Sequence, residues 1–159
     1  MLHTKEIIFP VTVSDRLLKA TVKEEIDDSV ATAFHIAFSD GFEDVFQWEH
    51  EEGKVYGTGD EAMPYAKAIR YDLSQIIELD TSRFWHVFQH EMDGEKINVW
   101  VVESGYEGEI IYIVFFKDYL RFALTKRNSE WVLVEQPVAM GEDEKELVKR
   151  VGYLLDSLL

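Results

Sequence analysis

The chain predicts an α+β fold, predominantly antiparallel β-meander sheet with two amphipathic helices, and three observations carry that expectation. Strand-like segments joined by short Gly-, Asp- and Ser-bearing turns fill most of the chain, which is the grammar of hairpins and not the strand–helix alternation of a parallel sheet. Only two stretches place apolar residues at helical spacing. The order of about four strands followed by one helix runs twice, with a period of roughly 76 to 80 residues. The expected organisation is one compact domain over residues 1–159, with pseudo-repeat halves 1–80 and 81–159 of tandem ββββα type. The simpler version of the same class is a single antiparallel sheet with two helices on one face.

Residues 6–13 and 17–26 read as the first hairpin around the Ser14-Asp15-Arg16 turn, and 30–38 and 45–50 as the second around Ser39-Asp40-Gly41. An acidic, Gly-bearing stretch from Glu51 to Asp60 follows. Tyr65, Ile69, Leu73, Ile76 and Ile77 then define a helix from about Glu61 or Pro64 to Leu79, with Thr58 or Asp60 as cap and Pro64 tolerated in the first turn.

The second half opens with strands 84–91 and 96–103 about the Asp93-Gly94 turn. Residues 109–117, 119–125 and 130–135 continue the meander, one strand more than in the first half. Leu147, Val151, Leu154 and Leu158 mark a closing helix after Gly141, with Glu142, Asp143 and Glu144 matching the positive end of its dipole. Overlaying the halves pairs Phe9 with Trp85, Asp15 with Asp93, Phe38 with Phe116, Phe46 with Phe122, Leu73 with Val151 and Ile76 with Leu154. The run Ile110 to Phe116 is apolar on both strand faces, which predicts a central strand covered on each side. A helix is one cover; the opposite half or a second copy of the chain in a homodimer is the other.

Composition limits the function classes. With 47% hydrophobic and 13% aromatic residues the chain can bury a core of its own. Thirty-one acidic against 16 basic residues leave a formal charge of −15, a field that disfavours nucleic-acid backbones and anionic membranes and attracts a basic protein partner. Without cysteine there is no disulfide, thiolate metal site or cysteine nucleophile, and with no membrane-length apolar run or signal-like start the expected location is cytoplasmic.

No nucleophile elbow, phosphate-binding loop, dinucleotide fingerprint, HExxH or EF-hand loop occurs, so no catalytic residue, metal site or cofactor is assigned. His86 and His90 have metal-like spacing on a helix, but on a strand the same spacing holds the rings about 13 Å apart. Zinc would need His50 together with His86 or His90. Edge or solvent-facing histidines alternating with Phe84 and Phe88, with Trp85 and Val87 opposite, are the preferred account. Phe46, Trp48 and His50 share one strand face, and Trp48 is expected to be partly exposed among polar neighbours; Trp85, Trp100 and Trp131 read as core or interface anchors. The acidic runs Glu24-Glu25-Asp27-Asp28, Glu49-His50-Glu51-Glu52 and 142–146 read as solvated loops and helix starts, or as surfaces for a cation or basic partner. The expected partner-binding set is Trp48, His50, Glu51, Glu52, His86 and His90.

In element order alone the tandem ββββα arrangement resembles the whirly and PUR-type single-stranded nucleic-acid-binding modules. That resemblance implies sheet faces rich in aromatic and basic residues, whereas the strands here carry only scattered Lys19, Lys23, Lys96, Lys117 and Arg121. The leading expectation is a non-catalytic, acidic interaction module of adaptor or inhibitor type. A ligand- or single-stranded nucleic-acid-binding module is the alternative, marked by clustering of those five cations. A hydrolase with a cross-strand carboxylate or histidine site is the third, marked by titratable groups converging in a deep pocket.

Overall fold

A computed structural model describes residues 6–27, 31–80, 82–116, 120–136 and 140–159. Asp28, Val30, Lys117 and Tyr119 from the expectations above lie outside these residues, as do the side chains of Glu24 and Asp27. The chain forms two compact units, Met1–Ser82 and Arg83–Leu159.

Among the described residues the first unit is a five-stranded antiparallel meander in chain order: β1 (Ile7–Val13), β2 (Arg16–Asp27), β3 (Ala31–Phe38), β4 (Glu43–Glu49) and β5 (Lys54–Tyr56). Alternation sets the buried face, since Ile7, Phe9, Val11 and Val13 are buried while Ile8 and Thr12 are exposed. Ser14 and Asp15 both hold positive φ, 49° and 65°, the left-handed pair that a two-residue hairpin turn requires. A bulge between Val22 and Glu24 shifts the register of β2 against β3.

A 3₁₀ turn, Asp60–Ala62, leads into α1 (Met63–Ile77), and neither expected cap serves it. Thr58 turns instead to the sheet: its amide and its hydroxyl donate to the Asp44 carboxylate at 2.9 and 2.6 Å. Helix propensity alone does not hold a 15-residue helix in water; the buried stripe Tyr65, Ala66, Ile69, Leu73 and Ile76 does. Each fully buried aliphatic there contributes about 1.5–3 kcal/mol over exposure.

The second unit has a sheet of its own, in the order β10-β9-β8-β7-β6. Its strands are β6 (Trp85–Met92), β7 (Glu95–Tyr106), β8 (Glu109–Phe116), β9 (Leu120–Arg127) and β10 (Glu130–Glu135). Helix α2 (Glu142–Leu158) follows, its start closed by the Glu144 carboxylate accepting the Gly141 amide at 3.0 Å. Leu147, Val151 and Leu155 of α2 pack on Val99, Val101, Tyr112, Val114, Phe116, Phe122 and Leu124.

Two expectations change in detail. The first half is βββββα and not ββββα, because β5 inside the acidic stretch pairs with β4 through Trp48 and Val55. Strand β8 is central as predicted, and its reverse face also carries a buried residue, Ile111, on the same side of the sheet as the buried Trp100 and Ala123 further along the neighbouring strands; Ile110, however, is 58% exposed. The overlay of the halves is not exact: Phe38 and Phe116 each end the third strand of their sheet, but Phe46 stands opposite Phe34, four residues before Phe38, and Phe122 opposite Val114, two before Phe116, while Phe9 shares the helix-side face and Trp85 lies opposite it in its unit. Among the described residues no helix is long and apolar enough to cross a membrane.

Candidate functional site

Four of the six expected partner-binding residues fall together on one hairpin. Trp48 ends the inward-facing row of β4 that begins with the fully buried Phe46, and it is half-buried. His50, Glu51 and Glu52 form the exposed turn beyond it. The turn is fixed from several sides. Gly53 at φ +63° closes it, with its amide donating to the Glu49 carbonyl at 2.9 Å, and the Trp48 ring lies 3.7 Å from where a Gly53 Cβ would stand. Arg70 of α1 donates to the Gly53 carbonyl at 3.0 Å, and His50 Nε2 lies 3.1 Å from the Thr32 hydroxyl. Lys54 pairs with Glu52 at 3.2 Å, so Glu49 and Glu51 keep the charge of the tip negative.

His86 and His90 lie in the other unit, on the edge strand β6, and the register puts them with Phe88 on the side that α2 covers. The guanidinium of Arg150 sits 4.6 Å over the Phe88 ring and donates to His90 Nδ1 at 2.7 Å. Burial and the Arg150 charge hold the His90 pKa below the ordinary histidine value, against the pull of Glu146 and Asp143. Because a guanidinium can only donate, Nδ1 accepts, which places the proton of the neutral His90 ring on Nε2. Among the described residues no group of three or more His, Asp or Glu is arranged to hold a metal ion.

Of the cations whose clustering would mark a nucleic-acid platform, Lys19 and Lys23 are both exposed on β2, and Lys23, at the bulge, pairs with Glu43 at 3.3 Å. Arg121 pairs with Glu135 at 2.9 Å, and Lys96 stands opposite Glu91 in the β6–β7 register. Lys117 lies outside the described residues.

Two clusters escaped sequence reasoning. In the first unit the Tyr65 hydroxyl of α1 donates to Asp40 Oδ2 at 2.5 Å, and Arg16 reaches the same oxygen at 3.1 Å. The Tyr65 hydrogen bond, then the Phe42 amide, hold the Asp40 pKa below the ordinary carboxylate value. In the second unit a groove of about 540 Å³ is walled by Ile110, Tyr112, Trp131 and Leu155 and rimmed by Lys126 and Asp156. Neither had a sequence signal, because the partners lie 24 to 30 residues apart.

Comparison of the chain with protein-family models, characterised proteins and solved structures finds no match.

Proposed function

We propose that the protein is a non-catalytic interaction module of adaptor or inhibitor type that receives a basic segment of a partner protein on the tip of the β4–β5 hairpin. The observation that carries this reading is the construction of that tip: exposed His50, Glu51 and Glu52 beside half-buried Trp48, on a turn pinned by Arg70, Thr32 and Gly53. A fixed turn loses little conformational freedom on binding. An aromatic anchor rimmed by carboxylates suits a lysine- or arginine-bearing chain, and the −15 charge speeds the encounter. Asp40, Glu43, Asp44, Glu109 and Asp156 are held below the ordinary carboxylate value by hydrogen-bond or ion-pair partners, whereas a hydrogen bond with Asp93 raises Asp143. Cytoplasmic residence belongs to this reading, and homodimerisation is not required by it.

Calorimetric titration with a ten-residue Lys/Arg-rich peptide at low and moderate salt tests the proposal. The expected result is salt-sensitive binding that the double variant Glu51→Gln/Glu52→Gln weakens by about threefold to tenfold. Equal affinity of the double variant, or preference for a single-stranded oligonucleotide over the peptide, would overturn it.

A further inference from the structure

The groove in the second unit carries a different chemistry. We propose that it binds a small hydrophobic ammonium, a ligand joining an amine or quaternary ammonium to an apolar body, and that Lys126 holds the cation subsite in the free protein. This inference stands on the second unit alone and does not rest on the hairpin reading.

The apolar subsite follows from where α2 stops. Along β8, Tyr112, Val114 and Phe116 lie under the helix and are 7%, 0% and 0% exposed. Ile110 continues the same row but is 58% exposed, because Leu155 and Leu159 at the helix end wall the groove without covering it. The result is an uncovered aliphatic patch on a central strand, flanked by Tyr112 and Trp131, whose rings meet edge to face at 5.7 Å. A cavity of about 540 Å³ is the right size for a small ligand.

The cation subsite is drawn by the protein's own side chain. Lys126 Nζ lies 2.8 Å from Asp156 Oδ1 and 5.5 Å from the centre of the Trp131 ring. The Trp131 indole N–H donates to the same Asp156 oxygen at 2.9 Å, which orients the carboxylate and leaves the Oδ2 lone pairs for an incoming donor. A carboxylate fixed beside an aromatic face is the arrangement that recognises ammonium groups. The packing of Trp131 against Gly152 of α2, 3.2 Å from where a Cβ would stand, holds the ring in place.

Other groups beside the groove are already engaged. Arg127 makes two bonds to Glu109, at 3.0 and 2.7 Å, and the Thr125 hydroxyl donates to the Ile110 carbonyl at 2.9 Å. An anion would meet Lys126 alone, itself paired, within a chain of charge −15. An ammonium displaces Lys126, whose exposed stem swings into solvent, while the apolar body covers Ile110.

Calorimetry of the full chain with 4-phenylbutylamine, 4-phenylbutyric acid and Nα-acetyl-lysine amide separates the alternatives. The amine is expected to bind at least tenfold more tightly than either of the others. Lys126→Met removes the internal competitor and is expected to tighten the amine about threefold or more, while Ile110→Trp fills the apolar subsite and abolishes binding. Both positions are exposed, so both variants are expected to fold. Preference for the acid, weaker amine binding by Lys126→Met, undiminished binding by Ile110→Trp, or acetyl-lysine amide binding as tightly as the aryl amine would each overturn the proposal.

Discussion

The phenolic hydroxyl of Tyr65 on α1 donates to Asp40 in the β3–β4 turn, 25 residues earlier in the chain. The Tyr65 ring also stacks on Phe42 at 4.2 Å and packs on Phe38 at 4.7 Å. Arg16, next to the β1–β2 turn, closes on the same carboxylate, so one end of the sheet and the first turns of the helix are tied at a single oxygen. The Asp40 side chain is 13% exposed and Tyr65 9%, although Asp40 as a whole residue stands at the surface, so the bond is only partly screened from water.

Tyr65→Phe keeps the stacking and removes the bond. It is expected to lower stability by about 1.5–3 kcal/mol, the range for a hydrogen bond to a charged group, with the partial exposure of Asp40 favouring the lower end, as read by urea denaturation. No change in the urea midpoint would mean that water satisfies Asp40 equally well.

Asp40 and Asp44 both have folded-state pKa values below the ordinary carboxylate value, so the stability they contribute is present above that value, near pH 4, and is lost as pH falls through their lower folded values. Urea midpoints are therefore expected to fall below about pH 4 and to depend less on pH in Asp40→Asn than in the wild type. The same acid slope in both proteins would remove Asp40 from the account.

Gly57 is expected to tolerate no side chain. A Cβ there would stand 2.3 Å from Ala62 Cβ and 3.0 Å from Asp44 Oδ2, at the point where Thr58 caps Asp44. Gly57→Ala is expected to cost about 1–3 kcal/mol, whereas Gly59→Ala, with nothing within 4 Å and an extended backbone, should be neutral or slightly stabilising. Thermal melts of the pair check this, and equal effects would contradict the packing.

His90 should titrate below the ordinary histidine value in NMR, with its neutral form protonated on Nε2. Arg150→Gln is expected to raise that midpoint, since Glu146 and Asp143 then act on the ring without the opposing charge. With the folded pKa depressed, the contribution of neutral His90 to stability is present above about pH 6.5 and lost as pH falls below it. A midpoint unmoved by the substitution would show that burial alone sets it.

The strands were legible because their faces alternate so strictly; the row Ile7, Phe9, Val11, Val13 stands out in the order of residues alone. Both helices were legible from their apolar spacing, but in α2 the buried row runs Leu147, Val151, Leu155, with Leu154 only half-buried and Leu158 exposed. Strand β5 was not, since three residues, Lys54-Val55-Tyr56, carry too little alternation and are defined only by pairing with β4. The bulge after Val22 was hidden because it depends on the partner strand. Thr58 looked like a helix cap because its type suits one, and only the fold shows that Asp44 claims it first. The local acidic tip around Trp48 could be read, but the Asp40–Tyr65 bond and the Lys126–Asp156–Trp131 groove are long-range pairings with no local pattern.

Chemical-shift mapping of the full chain with the Lys/Arg-rich peptide tests the central claim most directly. The account predicts that the largest perturbations fall on amides 47–54 and the Trp48 indole and that they shrink with added salt. Perturbations centred elsewhere, or of equal size in Glu51→Gln/Glu52→Gln, would contradict it.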